Sequence, residues 1–308
     1  MSGALLVRGD RVGIVATGFA ARPDALDAGI AWIARRGFVP VASEHLKAVD
    51  GYLAGNDAAR AADLNAAVAD PALNAIWFAR GGYGTARLLD RIDLKRLVRR
   101  PKLLLGYSDL TALFGALLAR TATVCLHAPG VAELSRPQAF HGPSLAAALA
   151  GRVQKRRVLA REVLRPGQAQ GRLMGGNLTV LVHLLGTPHM PDLRGAVLFL
   201  EEVGEEAYRI DRLLQHLRMS GALLGVRAIL IGQLQVPKTA RVFPGDRDPL
   251  AVLSDHLLPL RIPVVRGVPS GHGDGKWTLP LGGTASLDTV KGVLAFDPRP
   301  APRPARKG

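Results

Sequence analysis

The sequence predicts an α/β protein: an N-terminal parallel sheet flanked by helices, followed by a smaller mixed α/β domain. Three observations predict it. Short apolar runs alternate with helix-patterned segments from Arg11 to His127. The pattern weakens between Pro137 and Gln170, where glycine, proline and a basic run intervene. Strand and helix signals then resume, with shorter strands towards the end. Strand–helix alternation at this spacing implies parallel strands joined by crossover helices. A length of 308 residues also exceeds what one compact core usually encloses.

The elements follow in order. Arg11–Ala16 is a β-branched strand, and Pro23–Arg36 is a helix with Leu26, Ile30 and Ile33 on one face. Phe38–Ala42 is a second strand and Asn56–Ala69 an alanine-rich helix with a capping residue at its start. Leu73–Ala79 and Lys102–Tyr107 are strands, Asp109–Ala119 a helix and Thr123–His127 a strand. Residues 1–140 therefore read as a flavodoxin- or Rossmann-like domain and 141–170 as a linker. In the second domain, 171–297, helices are expected at Gly176–Leu185 and Ile210–Met219. Strands are expected there at Ala196–Glu201, Val226–Gly232, Pro280–Gly283 and Val290–Phe296, a mixed unit of the swivelling type. The Pro-rich basic segment 298–308 reads as disordered.

Composition narrows the function. Hydrophobic residues make up 48% of the chain and aromatic ones 5%, so aliphatic side chains must fill the cores. The net charge of +15 suits an anionic partner, but the basic residues are scattered in short clusters such as Lys155-Arg156-Arg157. A solvated basic surface explains that pattern better than a nucleic-acid stripe. The single cysteine, Cys125, excludes an internal disulfide, and its apolar flank places it in the core. No secretory signal and no apolar run of membrane-spanning length is read, so a cytoplasmic protein without a membrane partner is expected.

Two glycine turns carry the chemistry. In Gly106-Tyr107-Ser108-Asp109 an apolar strand runs directly into a helix with a serine at the junction. That is the setting of a nucleophile elbow, although the second glycine of G-x-S-x-G is missing. The amide of Asp109 would lie at the helix start, where an oxyanion can be held. Read alone, Ser108 fits a helix cap better than a nucleophile. Ala79-Arg80-Gly81-Gly82-Tyr83-Gly84 is a second strand–turn–helix, able to offer another amide or to cradle a phosphate. Both turns fall at carboxyl ends of parallel strands, where such sheets bind ligands. A serine nucleophile needs a base and an orienting acid. His272, flanked by Gly271 and Gly273, is the candidate base, with His127 as its rival. Glu201 and Glu202, ending an apolar strand, are the candidate acids. No HExxH motif is present, and neither a metal nor a cofactor is called for.

Taken together, these segments resemble the LD-carboxypeptidase family of serine peptidases, which includes microcin-C immunity peptidases. The resemblance rests on Tyr52–Asn65, Ala79–Gly84, Gly106–Thr111, Gly175–Leu178, Leu200–Glu205 and Gly271-His272, and it spans Gly13 to Phe296. It implies a triad of Ser108, Glu201 and His272, with oxyanion donors at the amides of Gly82 and Asp109. It further implies a homodimer and release of a terminal D-amino acid, D-Ala of a murein tetrapeptide, from an L-configured centre. Arg80, Gly81, Tyr83 and Asn177 are candidate substrate contacts. Glu201-Glu202 replaces the family's Glu-Asp, leaving the acid open between the two, and Val15-Ala16-Thr17-Gly18 departs from the usual Ala-Pro-Ser. An amidase acting on aminoacyl-nucleotides and a non-catalytic anion-binding protein are the alternatives.

Overall fold

The computed structural model describes residues 5–236 and 247–301. Five parallel strands form most of the first sheet: β1 (Arg11–Val15), β2 (Val39–Ala42), β3 (Ala75–Phe78), β4 (Leu103–Gly106) and β5 (Cys125–His127). Their order, β2-β1-β3-β4-β5, is that of a flavodoxin-like doubly wound sheet, whose switch point lies between β1 and β3. The central strands β3 and β4 are apolar throughout because helices cover both faces of the sheet. Helix α1 (Pro23–Arg35) starts on a proline, whose missing N–H costs nothing at that position. Helix α2 (Asp57–Ala69) is capped by Asn56, whose side chain accepts from the Ala59 amide at 2.9 Å. A short helix α3 (Leu94–Arg99) precedes β4, and α4 (Thr111–Leu118) follows it. Every residue of α4 is buried.

The segment 141–170, expected as a linker, is regular structure. It holds α5 (Gly142–Leu149), β6 (Gln154–Arg157), β7 (Val163–Arg165) and the first residues of β8 (Gln168–Asn177). The second sheet continues through β9 (Ala196–Val203), β10 (Ala228–Gln235), β11 (Val264–Val265), β13 (Thr284–Asp288) and β14 (Val293–Asp297). Its order is β6-β14-β13-β8-β9-β10-β11-β7, with β8 to β11 parallel and the remaining pairings antiparallel. Helices α6 (Leu178–Val182), α7 (Ala207–Met219) and α8 (Pro249–Leu257) accompany it. The strand expected near Pro280 is present as β12 (Leu279–Leu281), but it pairs antiparallel with β5 and closes the first sheet instead of the second. The chain thus returns to its N-terminal sheet after completing most of the other.

One hydrophobic core runs through both sheets. It joins Phe78 and Leu104 of the first to Leu173, Phe199 and Ile229 of the second, through Leu113, Phe114 and Leu117 of α4. The helix that follows the nucleophile candidate is therefore sandwiched, which accounts for its uniformly apolar sequence. At the C-terminal end, Arg299 pairs with Asp297, and the Ala301 amide donates to the Gly282 carbonyl at 3.0 Å. The rest of the expected basic tail, 302–308, lies outside the described residues. Among the described residues no helix is long and apolar enough to cross a membrane.

Candidate active site

Ser108 stands where β4 ends. Its φ is 65°, in the left-handed region that a residue with a Cβ rarely occupies. That strained turn points the hydroxyl away from the sheet edge, as in a nucleophile elbow. The Ser108 Oγ lies 2.9 Å from His272 Nε2, and His272 Nδ1 lies 2.8 Å from Glu201 Oε2. These distances also fix the proton positions. A carboxylate only accepts, so Nδ1 carries the proton and donates to Glu201. Nε2 then holds a lone pair and accepts from the Ser108 hydroxyl. Glu201 is fully buried, shielded from competing water.

Strand alternation separates the two adjacent glutamates. Successive residues of β9 point to opposite faces, so Glu201 faces His272 and Glu202 faces α6. Glu202 accepts from Asn177 Nδ2, the Thr179 amide and hydroxyl, and the Val203 amide, at 2.8–3.0 Å. Its oxygens are committed to the start of α6. Asn177 is committed there too, because its Oδ1 also caps α6 at the Val180 amide. The expectation that Asn177 faces a ligand is therefore corrected: both ends of its amide are used inside the protein, and it is buried.

The second glycine turn comes directly against the nucleophile. A Cβ on Gly81 would lie 2.6 Å from Ser108 Cβ, so only glycine lets the two turns meet. Asp109 locks them together. Its buried carboxylate accepts from the Thr85 amide at 2.7 Å, and burial pushes its pKa upwards against that hydrogen bond. Arg60, fully buried, ties the neighbouring loops by donating to the carbonyls of Thr17, Gly55 and Gly84. The amide of Asp109 belongs to the first turn after β4, where helical amides have no intrahelical acceptor.

A cavity of about 1060 Å³ opens over the Ser108–His272 pair. Arg80, Gly81, Gly82 and Tyr83 line it, together with Phe19, Arg22, Glu133, Arg136 and Glu205. Arg22 is paired with Asp24, and Arg136 lies 3.6 Å from Glu133. Arg80 donates only to the Ala20 carbonyl and sits over the Phe19 ring, with no carboxylate in ion-pair range among the described residues. His127, the rival base, is buried with its Nδ1 on Ser270 Oγ at 3.2 Å and is not part of the cavity wall. Burial lowers its pKa to about 3, so it stays neutral. Cys125 is buried, as its flank implies, and burial pushes its thiol up to about 12. Among the described residues no three His, Cys, Asp or Glu side chains converge as a metal-ligand set.

Sequence reasoning missed Arg60, Glu133 and Lys276 as parts of this site. Glu133 carries a signal that was there to read: it follows Gly130 at the spacing of a helix-capping carboxylate, and its Oε2 accepts from the Gly130 amide at 3.0 Å. Arg60 and Lys276 leave no local signal, since only the tertiary fold buries them.

A serine, an imidazole and a buried carboxylate in series, at the strand ends of a doubly wound sheet, define the site of a serine-type hydrolase. Residues 12–128 match the family model for the LD-carboxypeptidase N-terminal domain, and residues 170–287 match that for its C-terminal domain. The chain belongs to the LD-carboxypeptidase family. A probable murein peptide carboxypeptidase of Bacillus subtilis is 33% identical over 301 residues, covering 95% of this chain and 93% of its own. The crystal structure of a muramoyltetrapeptide carboxypeptidase from Oxalobacter formigenes superposes with a TM-score of 0.84 at 31% identity, covering 94% of this chain and all of that one. The microcin C7 self-immunity protein superposes with a TM-score of 0.85 over 97% and 99% of the two chains, at 24% identity, which is a likeness of fold alone.

Proposed function

We propose that this chain is a serine carboxypeptidase that hydrolyses the amide between an L-configured centre and a terminal D-amino acid, releasing D-Ala from murein tetrapeptide. The observation that carries the reading is the unbroken series Ser108–His272–Glu201, with hydrogen bonds of 2.9 and 2.8 Å, at an elbow with φ of 65°. The names of the Bacillus and Oxalobacter relatives support the substrate class. In this reading His272 Nε2 takes the proton of Ser108 as Oγ attacks the scissile carbonyl, and Glu201 stabilises the imidazolium. The amides of Gly82 and Asp109 hold the oxyanion. His272 then protonates the leaving amine of D-Ala, and water clears the acyl ester by the same route in reverse. Arg80, the cation of the cavity wall without an acidic partner among the described residues, receives the terminal carboxylate, while Gly81 and Tyr83 shape the cavity. A cytoplasmic homodimer is part of the same proposal, resting on the family resemblance; sedimentation of the purified protein measures the dimer.

The test is incubation of the protein with murein tetrapeptide and, separately, with a microcin-type aminoacyl-nucleotide, with products scored by mass. The proposal expects D-Ala from the tetrapeptide and a loss of at least about 10⁴-fold in Ser108→Ala. Cleavage of the nucleotide alone would favour the immunity-type amidase, and binding without turnover would favour an anion-binding protein.

A further inference from the structure

His272 lies in a loop between Gly271 and Gly275 that has little side-chain bulk of its own, yet the imidazole must stay within hydrogen-bond range of two partners on two different strands. Part of the restraint is Gln233, whose amide accepts from Gly273 N at 2.7 Å and donates to the Asp274 carbonyl at 3.0 Å. The other part is a lysine. Lys276, four residues beyond His272, is only 2% exposed, although a buried ammonium is costly unless it is paired. Its Nζ donates to Glu133 Oε1 at 2.6 Å, lies 3.3 Å from the Tyr107 hydroxyl and sits 4.5 Å from the centre of the Tyr107 ring. Tyr107 completes the triangle by donating its hydroxyl to Glu133 Oε1 at 3.0 Å. The Tyr107 ring packs against the His272 ring, with centroids 4.9 Å apart. Tyr107 immediately precedes the nucleophile.

We propose that Lys276, Glu133 and Tyr107 form a positioning network that holds the His272 loop against the nucleophile strand, with one positive and one negative charge balanced behind the Tyr107 ring that packs on the imidazole. The proposal deepens the serine-hydrolase reading and rests on it for its kinetic consequences. None of the three side chains takes part in bond making; each acts through His272 or Ser108. The charged and titratable groups facing His272 are few. Glu201 comes from β9, Tyr107 from the end of β4 and His127 from β5; Lys276 stands on the Tyr107 ring, and Glu133, Arg136 and Glu205 line the shared cavity. His127 is neutral, and the Tyr107 phenol is pushed upwards by burial and by Glu133, so it keeps its proton. Lys276 and Glu133 are thus the two charges of the network that a substitution can unbalance, in opposite senses.

The experiment follows the His272 imidazole by NMR titration, identified by difference from His272→Gln, alongside the pH profile of kcat/KM for D-Ala release from murein tetrapeptide. Lys276→Met removes a buried positive charge and leaves Glu133 paired only with Arg136, 3.6 Å away, which favours the imidazolium. The midpoint and the acidic limb of the profile should rise by roughly half a unit or more. Glu133→Gln leaves the ammonium uncompensated, and both should fall by a similar amount. The double variant is neutral again and should return to within a few tenths of a unit of the starting value. Tyr107→Phe keeps the ring and both charges, so it should lower kcat with little change in KM or in the midpoint. A network that is merely structural would lower activity without moving the midpoint. Single variants that shift it in the same direction, or by less than about 0.2 units, overturn the proposal. If Lys276→Met fails to fold, Glu133→Gln and the neutral double variant still decide the sign. A wild-type protein that releases no D-Ala would sink the proposed reaction, yet the NMR midpoints would still report on the network.

Discussion

Among the described residues only Ser108 and Arg261 combine a side chain with a positive φ, and one of the two is the residue the hydrogen-bond chain begins on. Strain of about 1–3 kcal/mol at a single residue persists only where its surroundings enforce it. Here the enforcement is visible: Gly81 packs on the serine, and the Asp109 carboxylate ties the turn to Thr85. The same scale separates the paired glutamates. Glu201→Gln should cut kcat by about 10³–10⁴-fold while leaving stability near wild type, because the neutral amide neither stabilises the imidazolium nor fixes its tautomer. Glu202→Gln should do the converse, costing about 1–3 kcal/mol in denaturant unfolding through weakened bonds at the start of α6, with kcat largely kept. Ser108, His272 and the Glu201-Glu202 pair were legible in the sequence as residues of the right type in glycine turns or at a strand end. The choice within the pair was not, because it depends on which face of β9 meets the loop carrying His272. Asn177 misled for a related reason. Its glycine-rich context suggests a ligand turn, whereas the side chain caps a helix.

At the level of elements, the strongly patterned strands and helices of the first sheet lie close to where their sequences place them, since buried parallel strands are continuous apolar runs. β8 is the instructive miss. Its sequence, Gln168–Asn177, contains three glycines, and no strand was expected there; a linker was expected up to residue 170 and a helix from Gly176. The glycines are there because neighbours come close: a Cβ on Gly171 would lie 2.2 Å from the Gly195 carbonyl oxygen just before β9, one on Gly175 would lie 1.9 Å from that of Phe199 in β9, and one on Gly176 would lie 2.5 Å from the Thr111 hydroxyl of α4. Gly175→Ala combines that collision with a φ of 116°, and it should lower stability by about 3 kcal/mol or more in chemical denaturation. The loss should appear at both sheets together, because β8 also contacts α4. β6 and β7 were not legible because they are short edge strands with no apolar period, and β11 because, though buried, it is only two residues long.

For the molecule as a whole, the sequence suggested two domains in series; in the structure one hydrophobic cluster spans both sheets, and a strand, β12, returns from the second to the first. That return brings the loop of His272 over the end of β4. It also buries His127 between Tyr107, Phe199 and Ser270. The pKa of His127 is about 3 in the folded protein, against about 6.5 in an unfolded chain. The unfolded state therefore binds a proton that the folded state refuses. Stability from this residue is intact above about pH 6.5 and declines towards pH 3, by up to about 1.4 kcal/mol per unit. A His127→Gln variant should lose that part of the acid sensitivity, which unfolding midpoints measured at pH 7 and pH 5 would reveal as a smaller gap than in wild type. The central claim is that residues from the two sheets form one nucleophilic site on Ser108. Its most direct test is labelling by a fluorophosphonate followed by peptide mapping. A single adduct on Ser108, absent in Ser108→Ala and strongly slowed in His272→Ala, is the predicted result. An adduct on another residue, or labelling indifferent to His272, would contradict it.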